Sequence, residues 1–133
     1  MTRQAKGEFE VRMTSQSSDE GTGSTLARFT NEKKFSGELE ATSKGEMLTA
    51  GTGVEGSAGY VLIERVTGTL QGRTGAFVLQ HHATLDRGAP RQSIVIVPDS
   101  GSGQLVGLKG TMTIQIEGAK HFYTLSYSLR DGG

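Results

Sequence analysis

The stretch GSAGYVLIERVTGTLQGRTGAFVLQH at residues 56–81 decides the fold. Its apolar residues recur with a period of two on both sides of Gly72, which is typical of two strands joined by a turn. Gly72–Arg73 suits a two-residue turn of type II′, with glycine first. This turn predicts three cross-strand pairs: Gly68 opposite Phe77, Val66 opposite Leu79, and Glu64 opposite His81.

A second hairpin is predicted around Gly118–Ala119. This turn places Glu117 opposite Lys120, and it places the apolar residues Met112 and Leu125 opposite each other further along. Because the opposed charges and the apolar pair agree in one register, we expect that register to be fixed.

Glycines between alternating runs predict eight strands in all. Their approximate ranges are 6–13, 25–43, 46–52, 58–69, 74–84, 91–97, 109–117 and 120–129. The strand 25–43 is expected to bend at Gly37, since glycine inside a strand often marks a bend. Lys44–Gly45 is predicted to be a turn. Residues 14–24 have almost no apolar side chain and are predicted to be a flexible loop.

Short links and successive hairpins indicate an antiparallel meander, and eight strands are enough to close a barrel. We therefore predict an all-β chain that forms one domain over residues 1–133, an eight-stranded antiparallel β-barrel. A two-sheet sandwich is the alternative. At most one short helical turn is expected, at 102–107, where Ser102 caps it.

The composition excludes several classes of protein. The chain has 133 residues and 20 glycines, about twice the usual share of glycine. Without cysteine it has no disulfide framework and no thiol nucleophile. Fourteen basic and fourteen acidic residues cancel, so nucleic acid is not expected as a partner. No long apolar run indicates a membrane span. The start MTRQAKGEFE lacks the apolar core of a signal peptide, so we expect a cytoplasmic protein.

Four segments resemble a family of bacterial proteins of unknown function, DUF3224. They are FSGELEATSKGEML at 35–48, GSAGYVLIERVTGTLQGRTGAFVLQH at 56–81, VPDSGSGQLVGLKG at 97–110 and GAKHFYTLSYSL at 118–129. The resemblance implies a barrel related to allene oxide cyclase and to plant dirigent proteins, often oligomeric, so a homo-oligomer (dimer or trimer) is expected. It implies no catalytic assignment, since the family has no established one.

Glu64 and His81 are the candidate catalytic residues, because both lie at the end of an apolar row and the register makes them neighbours. Inside a barrel such a pair is partly desolvated and can serve as a general acid or base. The alternative is a structural ion pair across two strands. The candidate ligand-binding residues are Tyr60, Leu62, Phe77, Leu79, Gln80 and Tyr123. Gln80 lies on the opposite face of its strand from Phe77 and Leu79. It is included because the pattern does not say which of the two faces lines the lumen.

Two other features do not predict a nucleotide-binding or a metal-binding site. GTGVEG at 51–56 matches the dinucleotide-binding spacing, but a strand follows it where that site requires a helix. His81 and His82 are neighbours on a strand and point to opposite faces, so they cannot chelate one ion together. No metal site and no cofactor are therefore predicted.

Three functions remain open. The first is a barrel that binds a small hydrophobic molecule in its interior. The second is an isomerase or cyclase that works without a cofactor, with Glu64 or His81 moving a proton. The third is a non-catalytic, oligomeric interaction protein whose interior is filled with its own side chains.

Overall fold

The computed structural model describes residues 2–129, and this part of the chain is all-β. Its nine strands are β1 Arg3–Glu20, β2 Ser24–Gly37, β3 Leu39–Thr52, β4 Ala58–Leu70, β5 Arg73–Asp86, β6 Ala89–Ile96, β7 Ser102–Gly103, β8 Lys109–Glu117 and β9 Lys120–Ser128. Eight of them close an antiparallel ring in the order β4-β3-β2-β1-β9-β8-β6-β5, with β5 pairing back to β4. The predicted eight-stranded barrel is confirmed, and it excludes the sandwich.

The segment between β6 and β8 contains strand and turn where at most one helical turn was expected. The two residues of β7 pair with Gly75 and Ala76 of β5. The backbone N–H of Leu105 donates to the carbonyl oxygen of Ser102, so a hydrogen-bonded turn stands at that point. No helix in residues 2–129 is long and apolar enough to cross a membrane.

One end of the barrel is plugged. The turns between β2 and β3 and between β4 and β5 lie at this end, and the segment before β8 buries Leu105 and Leu108 in the core. Gln71 ties the two turns together, because its backbone N–H donates to the carbonyl oxygen of Glu38 and its side-chain amide donates to the Glu38 carboxylate. The hydroxyl of Tyr127 donates to the side chain of Gln71. The lumen is therefore filled from this end.

The other end is open. The turns between β1 and β2, β3 and β4, β5 and β6, and β8 and β9 lie there. Beyond Phe9, β1 pairs with β2 alone, whereas β2 stays paired with β3 as far as Ser24, so the part of β1 beyond Phe9 has one unpaired edge. The only pair between β6 and β8 in the described range is Val95 with Thr111, so these two strands separate toward the open end.

The two predicted registers fare differently. The β8–β9 hairpin has the predicted register, with Glu117 opposite Lys120 and Met112 opposite Leu125. The β4–β5 register is wrong by two residues. The turn residues are Gln71 and Gly72, both with positive φ, as a type I′ turn requires. A shift of two keeps every side chain on its predicted face, so the inner and outer rows are unchanged.

The prediction of a flexible loop at 14–24 is wrong. β1 continues to Glu20, which pairs with Thr25 of β2, and a bulge lies between Ser15 and Ser17. Both faces of β1 are exposed from Glu10 to Glu20, so no apolar row marks this extension in the sequence. Backbone hydrogen bonds between the two strands hold it instead.

The predicted strand 25–43 is two strands, and the predicted turn at Lys44–Gly45 is the middle of one. The chain reverses at Gly37, whose φ is +99°, and β3 then runs without interruption through Gly45. The hydroxyl of Tyr123 supports the reversal, because it accepts from the backbone N–H of Leu39 at 2.9 Å. The reversal is thus stabilised by a buried tyrosine on a strand that is distant in sequence, and not by residues next to Gly37 alone.

Candidate functional site

Glu64 lies at the centre of a buried polar cluster in the lumen. Its Oε2 contacts Nζ of Lys33 on β2 at 2.8 Å, and its Oε1 accepts from the hydroxyl of Ser43 on β3 at 2.6 Å. The Nε2 atom of His81 on β5 lies against the same Oε2. Glu64 and His81 are each 1% exposed. Because the carboxylate accepts, Nε2 of His81 carries the proton of that hydrogen bond.

The surroundings of Glu64 favour its charged form. Burial on its own raises the pKa of this carboxyl group. The hydrogen bond with His81 and the charge of Lys33 outweigh burial and lower the pKa from its ordinary value of 4.5 to about 2. The side chain is therefore a carboxylate at neutral pH, and its negative charge is balanced by Lys33.

Gly45 makes room for this cluster. It faces Glu64 across the β3–β4 ladder, and a Cβ atom at Gly45 would lie 2.6 Å from Cβ of Glu64. Real Cβ atoms do not approach that closely, so only glycine allows the two strands to meet here. The glycine that sequence patterning assigned to a turn is a contact position inside the sheet.

The predicted neighbours Glu64 and His81 do meet, although by a different geometry. Glu64 pairs with Leu79, and His81 pairs with Leu62, so the two polar side chains are diagonal neighbours on the inner face. Diagonal residues on one face remain within reach of long side chains. The structure brings the pair together, and its catalytic role stays a prediction.

The structure places the predicted ligand-binding residues in four different surroundings. Leu62, Phe77 and Leu79 are core residues that are at most 1% exposed. Tyr123 is buried at the plugged end, and burial is the main cause that raises the pKa of its hydroxyl. Gln80 is exposed on the outer face, away from the lumen. Tyr60 alone lines a cavity.

That cavity, of about 740 Å³, occupies the open half of the lumen. The residues that line it from the inward-facing rows are Thr49, Gly51, Ala58, Tyr60, Ala83, Leu85, Pro90, Gln92, Ile114 and Ile116. We assign them to those rows because they follow buried residues such as Leu62 and Met112 at steps of two along the same strands. Most of these side chains are apolar, and none is charged.

Tyr60 and Gln92 form a polar contact in this cavity. Nε2 of Gln92 on β6 donates to the hydroxyl oxygen of Tyr60 on β4 at 2.9 Å. Thr49 is the direct partner of Tyr60 across the β3–β4 ladder. The three neutral polar side chains thus lie on strands around an otherwise apolar space.

The cavity and the buried cluster are adjacent but distinct. Ala83 lines the cavity and is the next inward residue after His81 on β5. Tyr60 is two inward positions from Glu64 on β4, with the buried Leu62 between them. Neither Glu64 nor His81 lines the cavity.

Sequence reasoning missed Lys33, Asn31 and Ser43 on the inner face. A signal was present, because Asn31 and Lys33 alternate in step with Phe29 and Phe35 along the same strand and so share their face. Lys33 is held over the ring of Phe9, with Nζ 5.3 Å from the ring centroid. Oδ1 of Asn31 is buried and has no hydrogen-bond partner in the described part of the chain.

It also missed Gln92, Ala83, Ile114 and Ile116, which line the cavity. These residues line a cavity because β6 and β8 separate at the open end, and no local sequence pattern predicts that separation. In residues 2–129, no three His, Asp or Glu side chains are grouped so that they could hold a metal ion.

Comparisons with known proteins agree with this architecture. A crystal structure of a protein with unknown function from the DUF3224 family of Shewanella oneidensis MR-1 is 46% identical to this chain, with a TM-score of 0.93. The match covers 99% of this chain and 100% of that chain. No curated protein matches. The family model described as a protein of unknown function, DUF3224, matches residues 5–127. This chain belongs to the DUF3224 family.

Proposed function

We propose that this protein binds a small, largely apolar molecule in the open half of its barrel. The observation that carries the proposal is the cavity of about 740 Å³ lined mainly by apolar side chains. Pockets of roughly 300–1,000 Å³ with apolar walls and a few placed polar groups are typical of small-molecule sites. Tyr60, Gln92 and Thr49 are such polar groups, and Ile114, Ile116 and Leu85 supply apolar wall.

The test uses N-phenyl-1-naphthylamine, a neutral dye whose fluorescence rises in apolar surroundings. Ala83→Phe places a ring in the cavity and is expected to weaken dye binding by about 10-fold or more, equivalent to at least about 1.4 kcal/mol. Thr113→Phe is the matched control, because Thr113 is exposed on the outer face of β8. Equal dye binding by the two variants, or no binding by the unmodified protein, would refute the proposal.

A second candidate is a cofactor-independent isomerase or cyclase, and the contact between His81 and Glu64 favours it. Glu64 accepts from Lys33 and Ser43 as well as from His81, so its role would be to orient and charge-stabilise the imidazole. His81 would then be the group that moves the proton. A substrate would reach it from the cavity past Ala83.

Proton transfer can be measured without knowing the natural substrate. In D₂O, the methyl protons next to the carbonyl of 2-acetylnaphthalene exchange slowly, and a general base in contact with the bound ketone accelerates that exchange. The enzyme candidate expects acceleration by the unmodified protein and its loss in His81→Ala, with dye affinity kept. An unaccelerated exchange would leave the cluster as a structural ion pair.

We also propose that the chain forms a homo-oligomer through the outer face of β2, β3 and β4. Leu26, Leu48, Val61 and Ile63 are about half exposed, and Leu48 pairs directly with Val61. Contiguous exposed apolar side chains of this kind often mark interaction surfaces. Leu48→Lys is expected to shift the mass measured by light scattering toward the monomer, whereas Thr42→Lys on the same strand is not. A monomeric unmodified protein would contradict this.

A further inference from the structure

We propose that the ligand of the open cavity is an uncharged molecule that carries one carbonyl group, and that Tyr60 and Gln92 bind its oxygen. This inference rests on the proposed binding function and specifies the class of ligand. It is carried by two observations: the absence of charge on the inward-facing wall of the cavity among the described residues, and the unused hydrogen-bonding capacity of the Tyr60–Gln92 pair at the open end.

The wall of the cavity has no charge to offer. The lining residues on the inward-facing rows are all neutral, and Arg91, which contributes to the rim, belongs to the alternate row that points outward. A carboxylate or ammonium group moved from water into such a space would lose hydration without gaining a counter-charge, which is costly. The inward-facing part of the cavity, where Tyr60 and Gln92 lie, therefore selects against a charged group.

The Tyr60 hydroxyl has a proton to donate. Gln92 donates to its oxygen at 2.9 Å, so that oxygen acts as an acceptor in the pair. A hydroxyl carries one O–H donor as well, and no acceptor for the Tyr60 proton is found among the described residues. The bond from Gln92 also polarises the hydroxyl and makes it a better donor. Because the pair is accessible to solvent, water accepts this proton when no ligand is bound, and a ligand oxygen with a free lone pair would take the place of that water.

A carbonyl oxygen meets these requirements better than a hydroxyl group. It accepts from Tyr60 and, lying beside Gln92, accepts from the second N–H of that amide, and it brings no donor of its own that needs a partner. The neighbouring wall from Ala83, Ile114 and Ile116 then covers the hydrocarbon part of the molecule. The pair sets the orientation, and the apolar wall supplies most of the affinity.

Three probes of nearly the same shape separate the possibilities: 2-acetylnaphthalene, 2-isopropylnaphthalene and 2-naphthoate. Affinity is measured by displacement of N-phenyl-1-naphthylamine from the unmodified full chain. One net hydrogen bond predicts that the ketone binds about 3- to 10-fold more tightly than the hydrocarbon. The carboxylate is expected to bind more weakly than both.

Tyr60→Phe removes only the hydroxyl. It is expected to abolish the preference for the ketone while changing the affinity for the hydrocarbon by less than about twofold. Gln92→Leu is expected to reduce the same preference, and Thr113→Val on the outer face of β8 is the control that leaves it unchanged. Thermal unfolding of each variant checks that the barrel remains folded.

The outcomes distinguish the two proposals. If all three probes fail to displace the dye, or the dye itself does not bind, the binding function fails and this inference fails with it. If the hydrocarbon binds but the ketone shows no preference, or if Tyr60→Phe leaves that preference intact, only the assignment of a carbonyl ligand is overturned. Binding of 2-naphthoate as tight as that of the ketone overturns the argument from charge.

Discussion

The plugged half and the open half of the barrel share the same strands but use polar side chains differently. In the plugged half and the middle of the lumen, Glu64 is saturated by Lys33, Ser43 and His81, and it is fully buried. In the open half, the hydroxyl of Tyr60 has one hydrogen-bond partner among residues 2–129, Gln92, and faces a cavity. Polar groups whose hydrogen bonds are all made within the protein stabilise and specify a fold, whereas polar groups with unused hydrogen-bonding capacity are available to a ligand.

This contrast teaches where to look for function in a barrel of this kind. A buried carboxylate beside a histidine attracts attention first, because perturbed pKa values concentrate at functional sites. Here the lowered pKa of Glu64 has a complete structural explanation in its neighbours. The less conspicuous pair, Tyr60 and Gln92, has unused hydrogen-bonding capacity that a ligand can use.

The largest expected effect comes from breaking the buried cluster. Lys33→Met removes the ammonium group that contacts Glu64 and leaves the buried carboxylate with its bonds to Ser43 and His81 but without that charge, and breaking a buried pair in this way typically destabilises a protein by about 3–5 kcal/mol. Urea unfolding measures the change. Lys44→Met, at an exposed position of β3, is the control and is expected to change stability by less than about 0.5 kcal/mol. If Lys33→Met lowered the free energy of unfolding by less than about 1 kcal/mol, the cluster around Glu64 would not be what stabilises the buried half of the barrel.

The same cluster predicts a pH dependence. Because the pKa of Glu64 is about 2 in the folded state and about 4.5 in the unfolded state, its contribution is full above about pH 4.5. It is lost as the pH falls through about 2, and the difference between the two pKa values corresponds to about 3 kcal/mol. Urea midpoints of the unmodified protein and of Glu64→Gln, measured from pH 5 to pH 2, should therefore converge. Parallel pH curves would contradict the assignment.

The next effect in size tests the close contact of β3 and β4. Gly45→Ala places a methyl group against Glu64 and is expected to cost about 1–3 kcal/mol through overpacking. Gly51→Ala is the matched control at the open end of the same strand, because no atom lies within 4 Å of its would-be Cβ. Thermal unfolding compares the two. Equal stabilities would mean that the strands can separate at Glu64 without loss.

How much of this the sequence could predict depends on whether a signal is local. The register of the β8–β9 hairpin was predictable, because the turn residues and the pairs Glu117–Lys120 and Met112–Leu125 all agree. The face of Glu64 and His81 was predictable too, because alternation survives a register shift of two residues. That is why Glu64 and His81 were correctly predicted to be neighbours, although the predicted β4–β5 register was wrong by two residues.

The rest depends on contacts between distant parts of the chain. The reversal at Gly37 is held by Tyr123, which is 84 residues from Leu39, and nothing near Gly37 distinguishes a reversal from a bend. The polar hairpin formed by the ends of β1 and β2 has no buried face and so leaves no apolar row. The cavity arises because β6 and β8 share a single pair in the described range, which depends on the closure of the whole ring.

The smallest expected change in stability is that of Ile116→Ala, and it sharpens the comparison most directly, because the same substitution at Ile96 serves as its reference in the packed core. Ile96 is 4% exposed in the core, so Ile96→Ala is expected to lose about 2–5 kcal/mol of stability. Ile116 lines the cavity and is 66% exposed, so Ile116→Ala is expected to change stability by no more than about 0.5 kcal/mol while weakening dye binding. Urea unfolding and dye titration of the same two variants separate stability from binding. If Ile116→Ala destabilised the fold as much as Ile96→Ala, the open half would be part of the packed core, and its apolar wall would not be available to a ligand.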